Sequence, residues 1–249
     1  MPAKPEMNSF NAEQFIASAK QNLSPAQLLY VSELENSVVR GDVKSQQIIA
    51  YDRLAAFWKD SVNLFEPYGF YISKASKLDN SEKNLTFAAQ LFLERLRSEH
   101  DEAKLSWETK EAISLFEQAI KLNPDNTDLR IGLGSCYIFG NGRNGDPQET
   151  MKGIQELLAV VRKDSNNMKA QMVLGVGGYV SGQYDKAVDR LQKVIKNEPG
   201  NIEAIAFLAD TYAAKGDKDE AIKWYNISKR MVNNPRYSKE VDERIKLLK

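Results

Sequence analysis

The chain has a single cysteine, Cys136, and a single histidine, His100, among 249 residues. A lone thiol closes no intramolecular disulfide, and the two residues fall far short of the Cys/His clusters that zinc sites require. The composition therefore points to no metal and no cofactor. Excess charge is also missing: 34 Lys and Arg balance 34 Asp and Glu, so no strong net field draws the whole chain onto nucleic acid or an anionic membrane. Long apolar runs are absent too. The stretch 171–180 is far shorter than the roughly 20 residues that span a bilayer, and the first twenty residues hold no apolar core like that of a secretion signal. These absences predict a soluble chain without a nucleic-acid partner or a membrane span. It would be cytoplasmic as it stands, or periplasmic if a leader once preceded it. What the chain does have is a 42% hydrophobic fraction, enough at this length for a core that needs no staples.

Those hydrophobic residues recur with a fixed period. Ala112, Ile113, Phe116, Ala119 and Ile120 form one amphipathic helical stripe; Gly153, Ile154, Leu157, Val160 and Val161 form a second. Ala187, Val188, Leu191, Val194 and Ile195 form a third, and Ala221, Ile222, Tyr225 and Ser228 a fourth. Their first members are 41, 34 and 34 residues apart, so the period is 34 with one seven-residue insertion. A second helical pattern precedes each of the last three, through Leu133, Gly134 and Tyr137, then Leu174, Gly175 and Gly178, then Leu208, Ala209 and Tyr212. The small residue in each would let paired helices approach closely. Gly182 and Gly216 fall between paired helices, where a left-handed residue can end the first one. Asn126, Asn167 and Asn201 share one repeat position, suited to capping the next helix, and Pro124 and Pro199 stop the preceding one.

This pattern resembles the tetratricopeptide repeat, a 34-residue helix–turn–helix unit. The match is best at Ala209, Tyr212, Ala221 and Tyr225 and at Gly175, Ala187, Leu191 and Pro199, with Ala112, Phe116, Ala119 and Pro124 fitting as well. The family's early Trp is replaced by Arg130, Gln171 and Ile205, and Gly178 stands where Tyr is usual. The resemblance implies an all-α, right-handed superhelical solenoid of antiparallel helix pairs, with repeats at about 82–126, 127–167, 168–201 and 202–234. Residues 235–249, opening on Asn234 and Pro235, would supply a C-terminal capping helix that covers the last open interface. Upstream, Ser24, Pro25 and Gln27 read as a capped helix start leading into Leu28, Val31 and Leu34, with Gly41 as its end. Residues 24–81 then carry a degenerate repeat-like pair, and 1–23 a weakly ordered segment or loose helix around Phe10, Phe15 and Ile16. An insertion of 11 residues holding Glu99, Asp101 and Glu102 extends the hairpin after residue 84.

Nothing in the sequence assembles a catalytic site. Gly140, Gly142 and Gly145 match G-x-G-x-x-G, but no strand precedes them and Asp146 places negative charge where a phosphate would sit. That segment reads as an extended turn into a helix starting at Pro147. Cys136 reads as a small half-buried thiol, and His100 as a solvated side chain in a charged insertion. The carboxylates show no pairing within apolar surroundings that would tune one for acid–base work. No enzyme is expected.

In the resembled family the first helix of each pair lines the concave surface where peptides or helices dock. Carried over position by position, that lining is Thr86, Phe87 and Gln90; Ile131, Ser135, Ile138 and Phe139; Lys169, Met172, Val176 and Tyr179; and Glu203, Phe207, Asp210 and Ala214. The family's carboxylate clamp is not reproduced: Lys169 alone matches, and Val173 stands where an arginine would be. The resemblance thus implies a non-enzymatic scaffold, monomeric or weakly self-associating, that holds a protein or peptide partner against this groove. The alternative is a self-associating structural subunit. The N-terminal segment with Phe10 and Phe15 could also cover the groove.

Overall fold

The computed structural model describes residues 9–40 and 43–248, and these contain thirteen α-helices and no strand. Gly41, expected to end the second helix, and residues 1–8 lie outside the described part. The chain forms two compact units, residues 1–140 and 141–249.

The first unit opens with α1 (Ala12–Lys20), α2 (Pro25–Arg40) and α3 (Lys44–Phe57), the last running into a π turn at Trp58–Val62. Next come α4 (Phe65–Asp79), α5 (Glu82–Leu96), α6 (Glu102–Leu122) and α7 (Thr127–Tyr137). The start of α2 is a reciprocal capping box: Gln27 N–H donates to Ser24 Oγ at 3.3 Å, and Ser24 N–H donates to Gln27 Oε1 at 2.9 Å. Asn63, in the left-handed region at φ 57°, ends the π turn. The segment read as weakly ordered or as a loose helix around Phe10, Phe15 and Ile16 carries the helix α1. Asn11 accepts from Gln14 N–H at 3.0 Å, and Ile16 is buried with Val31, Leu34, Leu54 and Trp58. Burial of an apolar stripe, rather than local propensity, stabilises so short a helix.

Between α5 and α6 the expected insertion is largely helical. Asp101 caps α6 by accepting from Lys104 N–H at 2.9 Å, and α6 runs for 21 residues against 14 in α10 and 15 in α12. The extra turns carry Leu105 and Glu108 onto the same buried face as Ala112, Leu115, Phe116 and Ala119. The two helices run antiparallel, because Asn123 at the end of α6 donates to Glu82 at the start of α5 at 3.1 Å.

The second unit comprises α8 (Pro147–Lys163), α9 (Met168–Val180), α10 (Tyr184–Asn197), α11 (Ile202–Lys215), α12 (Lys218–Val232) and α13 (Pro235–Leu248). The expected caps are in place, with Asn167 accepting from Ala170 N–H at 3.0 Å and Asn201 from Ala204 N–H at 2.9 Å. Gly182 and Gly216, at φ 73° and 88°, make the turns of two hairpins. The α9–α10 pair is antiparallel and close. A Cβ on Gly175 would lie 2.7 Å from Leu191 Cγ, one on Gly178 would lie 3.1 Å from Ala187 Cβ, and Arg190 reaches back to Gln171 at 2.6 Å. Between α6 and α7 a close approach is made at Gly132, where a Cβ would come 2.3 Å from Phe116 Cζ.

Candidate protein-binding face

The expected lining residues divide between the two units. In the first, α5 leaves Phe87 53% exposed, with Gln90 also exposed and Thr86 half-buried. Those of α7 and the turn after it point inward: Ile131, Ser135, Ile138 and Phe139 are all buried. Ser135 Oγ donates to Ile131 O at 2.7 Å, and the Arg97 guanidinium stands 4.4 Å from the centre of the Phe139 ring. These four residues are packing residues and present almost no surface to a partner.

The second unit keeps more of the row open. Lys169 and Glu203 are exposed at the first turns of α9 and α11, and Tyr179, Phe207 and Asp210 are half-buried. Met172 and Val176, between Lys169 and Tyr179, are buried beneath them. The Tyr179 and Phe207 rings meet edge-on at 6.1 Å, so an aromatic ridge bridges the two helices. Burial, helped by the Asp210 carboxylate, raises the Tyr179 phenol above its ordinary range, and the group stays a neutral hydrogen-bond donor.

Asp210 is held from both sides. Tyr225 Oη of α12 donates to its Oδ1 at 2.5 Å and Arg244 Nη1 of α13 at 2.7 Å. Arg244 was not among the expected residues, although it lies one 34-residue period beyond Asp210 and could have been found by carrying the repeat register into the final helix.

The residues weighed for chemistry fall as follows. His100 is exposed. Cys136 is fully buried rather than half-buried, and burial pushes its thiol far above the ordinary range, so it is neither accessible nor nucleophilic. Gly140 packs where a Cβ would strike Thr109 at 2.3 Å, and Asp146 caps α8 through Gln148 and Glu149 N–H at 3.0 and 3.2 Å. The sequence showed no carboxylates paired within apolar surroundings and singled out none as buried, but Glu108 is fully buried between Leu105 and Ala112 on the α6 core face. Among the described residues no group of three or more His, Cys, Asp or Glu is placed to hold a metal ion, and no helix is long and apolar enough to cross a membrane.

Residues 108–166 and 181–239 match the family model described as "Tetratricopeptide repeat". The chain therefore carries tetratricopeptide repeats over these two segments. Solved repeat proteins share its fold at low identity. One is TTC0263 of Thermus thermophilus, 15% identical over 81% of this chain and 98% of its own, with a TM-score of 0.58. Another is MamA from residue 41 onward of Desulfovibrio magneticus RS-1, 16% identical over 75% and 95%, with a TM-score of 0.53. YrrB, described as a repeat protein with an unusual peptide-binding site, is 19% identical over 84% and 97%, with a TM-score of 0.50. No curated protein sequence matches the chain.

Proposed function

We propose that the chain is a non-enzymatic protein-binding module whose α9–α11 face takes an extended peptide or one face of a helix from a partner. The observation that supports this reading is the half-exposed Tyr179–Phe207 ridge, flanked by Lys169 and Glu203 with Met172 and Val176 buried beneath. Aromatic anchors over a dry floor, with charged groups at the rim, are the composition of binding hot spots. Phe87 and Gln90 offer a smaller accessory patch on α5. YrrB, with its peptide-binding site, lends the reading a precedent of fold only.

The test is a peptide selected from a displayed library against the intact chain. Phe207→Glu should weaken that peptide's binding about tenfold or more, as loss of a single anchor does, with helicity by circular dichroism unchanged. Affinity as tight as the parent's in both Phe207→Glu and Tyr179→Glu would move binding off this face.

A second reading, self-association, is favoured by a different observation. Leu29, Val39 and Ile49 of α2 and α3 stand 62%, 85% and 57% exposed, as residues awaiting a second copy would.

A further inference from the structure

At the junction of α4, α5 and α6 three carboxylates share two cations. Glu66 of α4, only 5% exposed, pairs with Lys104 of α6. Glu99, in the turn after α5, takes Arg95 Nη2 at 2.9 Å and the backbone N–H groups of His100 and Asp101 at 2.8 and 2.9 Å. Glu108 of α6 is left over. It is completely buried, neither of its oxygens receives a hydrogen bond, and its nearest cation, Arg95 Nε, stands 3.6 Å away without a hydrogen-bond partner of its own. Arg95 is already engaged by Glu99 and lies over the Phe65 ring at 4.7 Å.

We propose that Glu108 is a proton-operated latch on this junction: one proton held on its carboxyl keeps α6 seated on α4 and α5, and loss of that proton above neutral pH loosens the seat. A neutral carboxyl tolerates the dry site. An ionised one would have to draw in water or pull Arg95 from Glu99, since a buried charge without full pairing is expensive. The charged groups acting on it come from each element: Glu66, Arg95 and Glu99, with Lys104 paired to Glu66 and near Glu99 and Asp101. Burial, against the opposing pull of Arg95 and with help from Glu99 and Glu66, raises the Glu108 carboxyl to about 7. A group raised in the folded state contributes stability that is complete below its unfolded value and fades as pH climbs through the folded one. Here that window runs from about 4.5 to about 7. The N-terminal helix would feel the change. Phe10 meets Trp107, next to Glu108, at 5.1 Å, and Phe15 lies 5.2 Å from Lys104 Nζ.

Chemical unfolding of the full chain between pH 5.5 and pH 8 tests the latch. Over that range the wild-type unfolding constant should rise on the order of tenfold more than that of Glu108→Gln, whose amide mimics the protonated acid; parallel profiles would overturn the proposal. A carbon-13 titration of the wild-type glutamate side chains decides the matter if the variant fails to fold. Glu108 Cδ should titrate near neutrality, and its titration in the ordinary carboxylate range would overturn the latch.

Discussion

Glu108 and Gly132 show how single side chains set the packing of α6. Glu108 falls at the helical spacing that links Leu105 to Ala112, so prolonging the Ala112–Phe116–Ala119 stripe backwards would have placed it in the core. It escaped because the charged stretch from Glu99 to Glu102 reads as solvated, whereas Asp101 starts a helix within it. Gly132 carries the opposite lesson. The repeat pattern gives Gly132 no role, yet the ring of the buried Phe116 of α6 occupies the space beside it. Gly132→Ala should destabilise the chain by about 1–3 kcal/mol in urea unfolding, because overpacking forces a fully surrounded ring to move. A variant as stable as the parent would show that Phe116 has room the packing does not reveal.

At the scale of elements, the helix boundaries of the repeats were readable because each depends on a local cap. Asn126, Asn167 and Asn201 accept from the first turns they precede, and Gly182 and Gly216 adopt the left-handed backbone expected of them. The lining was only partly readable. Repeat register says which side of a helix a residue occupies, but not whether something packs over it. Ile131, Ile138 and Phe139 were therefore assigned to an open surface when they are core, and Arg244 was missed. Helix α13 buries Val241 and Ile245, and it joins α11 and α12 through Arg244–Asp210 and Lys229–Asp242, the latter at 2.6 Å. Removing residues 235–249 should lower the thermal midpoint by several degrees, mostly from the two apolar residues at roughly 1.5–3 kcal/mol each. The exposed ion pairs add little. An unchanged midpoint would remove α13 from any capping role.

For the molecule as a whole, partner and copy number are linked questions. If the exposed apolar residues of α2 and α3 meet a second copy, the mass measured by light scattering should climb from 28.1 kDa towards twice that value as concentration rises. A constant mass across the micromolar range would leave a module that acts alone. The α9–α11 face is the central claim, and it is tested most directly by the amide chemical shifts of the isotopically labelled chain during titration with a selected peptide. The account predicts that the perturbed amides cluster on α9 and α11 around Tyr179 and Phe207. Perturbations confined to α10 and α12, or to α2 and α3, would contradict it.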